Sequence, residues 1–211
     1  MPSSITSDII RPPAPPRGDG YGGGGGPDGR GASRRASMTG LMVLLAATTM
    51  AFAAFTSAFV VRRGISNDWV ALTLPPIVWA NTAVLLASSL LLHLARRSLK
   101  SGRRTAFNGY WTAGTVLGAL FLLGQALAWR QLNAEGIFVA TNPSSSFFYL
   151  LTAAHGLHIV GGLSALVYVD VQAIRLRLGP GKRTAVDVSA LFWHFVDGLW
   201  LYLMVLFFVW G

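Results

Sequence analysis

Five long apolar runs, separated by short polar stretches, occupy the chain from residue 41 onward. They extend from about Leu41 to Val61, Ile77 to Ala95, Phe107 to Trp129, Phe147 to Ile174 and Ala190 to Trp210. Each approaches or exceeds the roughly 20 residues that a bilayer-spanning helix needs. The third and fourth are long enough to tilt or to project from the bilayer. Backbone groups in lipid must pair within their own segment, and the alternating short strands of a β-barrel are not seen, so the runs read as helices. The pattern predicts an all-α, polytopic transmembrane bundle of five spans over residues 37–211. Residues 1–36 carry no apolar period and are rich in Gly and Pro, the composition of a disordered tail. No apolar stretch precedes Leu41, and the run that begins there is long enough to span. A cleavable signal is therefore not expected, and the tail should stay on the mature protein.

Composition sharpens this picture. The chain is 53% hydrophobic and only 12% charged, the balance of an integral membrane protein. It has no cysteine, which excludes thiolate copper sites, iron–sulfur ligation, covalent c-type haem attachment and disulfides. The net charge of +9 could mark a nucleic-acid binder, but the basic residues sit in short clusters between apolar runs, so no nucleic-acid partner is expected. Those clusters orient the bundle. Arg11, Arg17, Arg30, Arg34 and Arg35 lie in the tail, Arg96, Arg97, Lys100, Arg103 and Arg104 in the second connection, and Arg175, Arg177, Lys182 and Arg183 in the fourth. The other connections hold Arg62, Arg63 and Arg130, which completes the 17. By the positive-inside rule the N-terminus is cytoplasmic and the C-terminus faces outward, in agreement with an odd number of spans.

Polar residues within the spans are few: Thr48, Thr49, Asn81, His93, Asn108, Gln125, His155, His158, Asp170, His194 and Asp197. An ionisable group at mid-bilayer costs about 2.5–3.5 kcal/mol on insertion scales, so each should face protein or water. His93 and Asp170 lie close to the cytoplasmic ends, within reach of water. His155 and His158, three apart in "AAHGLHIVGGLS", share one helix face, and His194 and Asp197 do the same in "WHFVDGLW". Two readings compete for the histidines, haem ligation and interhelical hydrogen bonding. A di-haem cytochrome needs two histidine pairs at matched depth, and the topology brings only His93 and His194 level. Hydrogen bonding across helices is the expected role, and Asp197 should find a donor on a neighbouring helix or on His194. Gly114 and Gly118, and Gly161 with Ala165, mark faces where helices can approach closely. Trp69, Trp79, Trp129, Trp200 and Trp210 lie near span ends or on helix flanks, as interfacial anchors or packing residues.

Two stretches, "FFYLLTAAHGLHIVGGLSAL" and "FWHFVDGLWLYLMVLFFVWG", resemble the last two helices of haem-copper oxidase subunit III, through His155, Gly156, His158, Gly162, Trp193, His194, Phe195, Asp197 and Trp200. "VVRRGISNDWVALTLPPIVWANTAVLLASS" is similar to the family's loop and second helix in shorter bacterial members, through Pro76, Asn81, Thr82, Ser88 and Ser89. The resemblance covers about residues 38–211.

The resemblance implies a non-catalytic subunit of an aerobic respiratory cytochrome c oxidase in the bacterial cytoplasmic membrane, without a cofactor, catalytic residue or metal site of its own. Haems and copper belong to partners: the catalytic subunit I, on which this chain would pack, and an electron-entry subunit II. The family binds phospholipid in a cleft, supports proton uptake and protects the catalytic centre during turnover, and the complex can join a larger respiratory supercomplex. His155, His158, Trp193, His194, Asp197, Asn81, Thr48 and Thr49 are the structural, lipid- or proton-related candidates on this reading. Long family members have seven helices, and this chain matches the five-helix form. Thr48 and Thr49 stand where many members carry a glutamate. A quinol oxidase or nitric oxide reductase subunit is the nearest alternative. A haem-binding cytochrome and a small transporter are more distant ones, and the repeats and broken helices of a transporter are not found.

Overall fold

The computed structural model describes residues 27–65, 67, 69, 75–139, 141–175 and 183–210. The first 26 residues of the expected tail lie outside the described residues. Five helices follow one another: α1 Pro27–Ile65, α2 Pro76–Lys100, α3 Arg104–Ala134, α4 Pro143–Ile174 and α5 Arg183–Trp210. All five are long and apolar enough to cross a membrane, and no strand occurs among the described residues. The all-α expectation with five spans therefore holds. Each helix outruns its apolar core, because once nucleated a helix gains one hydrogen bond per residue added. At α1 this extension reaches back to Pro27, so residues 27–36, expected within the tail, are helical.

Local signals explain the ends. Proline opens α2 and α4, where its missing N–H would be unpaired in any case. At α4 the Asn142 side chain accepts from the Ser145 N–H at 2.8 Å, and the Ser145 hydroxyl accepts from the Asn142 N–H at 3.3 Å, a reciprocal capping box. Gly102 and Gly136, with φ of 73° and 79°, turn the chain just past α2 and α3.

The helices α2, α3, α4 and α5 close into a ring of four, with the α2–α3 hairpin packed most extensively, while α1 rests on the outside against α5 and α4. Side chains fix the register of each contact. Ser88 donates to the Gly114 carbonyl at 2.8 Å between α2 and α3. Trp111 donates to the Leu166 carbonyl at 3.0 Å, Thr112 to Asp170 at 2.7 Å and Trp129 to Thr152 at 3.3 Å between α3 and α4. Arg96 pairs with Asp187 at 3.0 Å, and Trp200 donates to Thr82 at 2.9 Å, between α2 and α5. Trp129 and Trp200 thus pack and bond inside the bundle, whereas Trp79 is exposed and Trp210 lies under the Arg63 guanidinium. α1 contributes one narrow buried stripe, Leu41, Thr48, Phe52 and Phe59, spaced to return to the same face.

Lipid tails are as apolar as leucine, so what holds such a bundle is close packing. One of its tight points is the Trp193 ring of α5, fully buried and slotted between α3 and α4. A Cβ on Gly118 would lie 2.6 Å from this ring, and one on Gly162 would lie 3.1 Å from it. Gly114 is equally close to Leu92, as the Gly114–Gly118 pair led us to expect. The Gly161–Ala165 pair does not play that part within the chain. Gly161 is exposed with open space above it, because α4 is rotated to bring Gly162 to the seam instead.

Candidate functional site

The residues singled out on α5 converge on the bundle interior. Trp193, Asp197 and Trp200, at i, i+4 and i+7, are all buried on one face. His194, one position round, is half-buried between α2 and α1. Asp197 lies ten residues beyond Asp187, about 15 Å along α5 at 1.5 Å per residue. It stands at the middle of the 28-residue α5. It is 4% exposed, and neither carboxylate oxygen has a hydrogen-bond partner among the described residues. The donor expected on a neighbouring helix is the Ser89 hydroxyl of α2, which faces the carboxylate without closing a hydrogen bond of good geometry, and His194 is not that donor. The reason is the direction of His194, whose Nδ1 hydrogen-bonds the Ser89 hydroxyl of α2 at 2.5 Å. On the same flank the exposed His93 ring lies 6.5 Å from that of His194.

Beside this polar seam, α1 and α5 enclose a groove of about 470 Å³ lined by Thr49, Phe52, Ala53, His194, Phe195, Gly198, Leu199 and Tyr202. Thr49 turns its hydroxyl to the Leu45 carbonyl of its own helix, 2.8 Å away, which leaves His194 as the groove's ionisable group. Thr48 points the other way and is buried. The Tyr202 hydroxyl donates to Thr56 at 2.8 Å and ties the two walls together.

The histidines of α4 part company. His155 is almost fully buried, with its ring 5.0 Å from Trp200 and 6.2 Å from Phe121, and neither nitrogen bonds to another group among the described residues. His158 is half-buried, donates from Nδ1 to the Ala154 carbonyl one turn back at 2.8 Å, and meets the edge of Phe52 on α1. The hydrogen bonds expected from this pair to other helices are therefore replaced by ring packing, and His194 alone of the three makes an interhelical bond. Asn81 does bridge helices, donating to the Phe121 carbonyl at 3.0 Å above the bare Gly124 backbone. Gln125 is buried in α3 with its amide atoms unpartnered among the described residues. Thr82 and Ser89, singled out above only as positions of the resemblance, and Asp187, not singled out at all, each complete a contact between α2 and α5. No group of three or more His, Asp or Glu side chains converges as a metal ion would require, among the described residues.

A polytopic membrane bundle, tied by aromatic N–H donors and carrying a buried mid-helix carboxylate near an apolar groove, is the class that this geometry defines. Comparison with known proteins gives the family. The model for cytochrome c oxidase subunit III matches residues 34–211, which takes in all of α2 to α5 and the spanning part of α1. A probable cytochrome c oxidase subunit 3 of Mycobacterium tuberculosis is 31% identical over 179 residues, covering 81% of this chain and 86% of that protein. The cytochrome c oxidase subunit 3 of Thermostichus vulcanus is 29% identical, over 81% of this chain and 85% of its own. That of Gallus gallus is 31% identical, over 62% of this chain and 49% of its own. The chain belongs to the cytochrome c oxidase subunit III family and is a multi-pass membrane protein.

Proposed function

We propose that this chain is the non-catalytic third core subunit of an aerobic respiratory haem-copper oxidase. It packs on the catalytic subunit I, beside the electron-entry subunit II, in a bacterial cytoplasmic membrane, with its N-terminal tail cytoplasmic and its C-terminus outside. Haems and copper are held by those partners. The observation that carries the reading is a family match running through all five helices of the bundle. The groove between α1 and α5 supports lipid binding: its walls, with Phe52, Ala53, Phe195 and Leu199, are largely apolar and fit an acyl chain. His93, His194, Ser89 and Asp197 together form a polar seam from the basic end of the bundle to its middle, which supports a part in proton uptake.

Affinity purification of the tagged chain from its native membrane tests this. Subunits I and II should co-purify with haem absorbance and oxygen-reducing activity. The chain expressed alone should show no haem band and no stoichiometric copper. A bis-histidine haem spectrum from the isolated chain would overturn the reading. Electron donation by quinol and not by cytochrome c, or reduction of nitric oxide, would move the complex to its neighbouring class. Within the complex, Asp197→Asn keeps shape and hydrogen-bonding capacity and should retain assembly and most turnover, whereas Asp197→Leu should lose subunits during detergent purification. Normal assembly of Asp197→Asn with loss of proton release would show that the carboxylate acts through its charge.

A further inference from the structure

At the end of the bundle where α2 finishes and α5 begins, a second cavity of about 150 Å³ is lined by Arg96, Leu99, Lys100, Arg183, Val186 and Asp187. Three cations thus face one carboxylate. Asp187 is committed to one Arg96 nitrogen at 3.0 Å, while the Arg96 Nε is buried and without a partner among the described residues. Neither Lys100 nor Arg183 forms an ion pair among the described residues. No acidic side chain stands in the first turn of α5 beside Arg183. The surplus is two positive charges around a partly open cavity, with Leu99 and Val186 as its apolar lining.

We propose that this cavity is a phosphate site. Arg96 and Lys100 of α2 and Arg183 of α5 hold the anion, and Asp187 keeps the Arg96 guanidinium in place. The phosphate can come from the diester of an anionic phospholipid or from inorganic phosphate. This site lies away from the α1–α5 groove and does not depend on the partner subunits proposed above.

The test uses the full chain in nanodiscs of phosphatidylcholine and phosphatidylglycerol in equal parts, with bound lipid read by native mass spectrometry after release. Lys100→Gln with Arg183→Gln removes two cavity charges. Arg97→Gln with Arg104→Gln removes two charges at the same end of the bundle from residues that do not line the cavity. Two contacts at the usual strength of a basic side chain on an anionic headgroup correspond to a loss of ~30-fold in phosphatidylglycerol affinity for the cavity pair, and the control pair, which does not line the cavity, should lose distinctly less. Displacement of the retained lipid by millimolar inorganic phosphate, or direct phosphate binding in detergent that only the cavity pair abolishes, assigns the site to free phosphate. Retention of phosphatidylglycerol against phosphate assigns it to lipid. Equal losses in the two pairs, or no preferential retention of either probe by the wild type, overturn the proposal.

Discussion

Replacing Gly118 by alanine adds one methyl group at one of the crowded points of the bundle. The new Cβ would stand 2.6 Å and 2.7 Å from Cη2 and Cζ2 of Trp193, where ordinary contact begins near 3.4 Å, so the ring or α3 must retreat by about 0.8 Å. The ring cannot swing into solvent, being fully buried, and on its other side Gly162 and Phe192 close the slot. Overpacking of this kind costs about 1–3 kcal/mol. At about 2–4 °C per kcal/mol for a chain of this size, Gly118→Ala should lower the melting temperature of the detergent-purified protein by roughly 2–12 °C. Tryptophan emission during heating is a direct assay. Gly161→Ala, which meets nothing within 4 Å, should melt within about 1 °C of the wild type or above it. Trp193→Phe removes the benzo atoms that Gly118→Ala would strike, so the double variant should recover part of the loss and the effects should not add. If Gly118→Ala and Gly161→Ala melt together, the slot is not rigid and the packing argument fails.

Removing the Ser89 hydroxyl with Ser89→Ala should weaken the α2–α5 contact by about 0.6–1.7 kcal/mol, read as a lower midpoint in a membrane unfolding assay, with no change in helix content. Trp200→Phe removes the interhelical donor to the Thr82 hydroxyl, which keeps its bond to the Val78 carbonyl, and leaves a void beside His155; it should cost more than Trp79→Phe on the exposed flank of α2, measured on the same scale. Fusions to a reporter active only in the cytoplasm should function at the N-terminus and fail after Gly211, and activity at both ends would mean an even number of crossings.

The existence and length of the spans were legible because hydropathy is a local property. What could not be read was rotation. Gly161 and Ala165 match the small-residue pattern as well as any pair in the chain, yet α4 turns Gly162 inward because the Trp193 ring needs a bare backbone there. Ser89 was matched as a position of the resemblance, but its partner was not legible. A serine in an apolar run gains a partner only once α2 is known to lie against α5 with residue 89 opposite 194. Asp197 was legible as a buried carboxylate, since its spacing from Trp193 and Trp200 places it on the inner face. The direction of His194 towards Ser89 depended on how α2 lies against α5.

The outlying position of α1 bears on the order of events during synthesis. Its docking surface is built from α4 and α5, through contacts such as Phe59 with Phe147 and Phe207 and Tyr202 with Thr56. α1, made before α4 and α5, therefore has no seat until both of them have been made. Meanwhile α2 and α3, joined by the short Ser101–Arg103 turn, can close on each other as soon as both have entered the bilayer. For most of translation α1 is a lone membrane anchor, tethered through the 66–75 segment to a growing bundle, and its arrival against α5 closes the groove that contains His194. That late step gives the membrane's own lipids access to the groove before its second wall is in place.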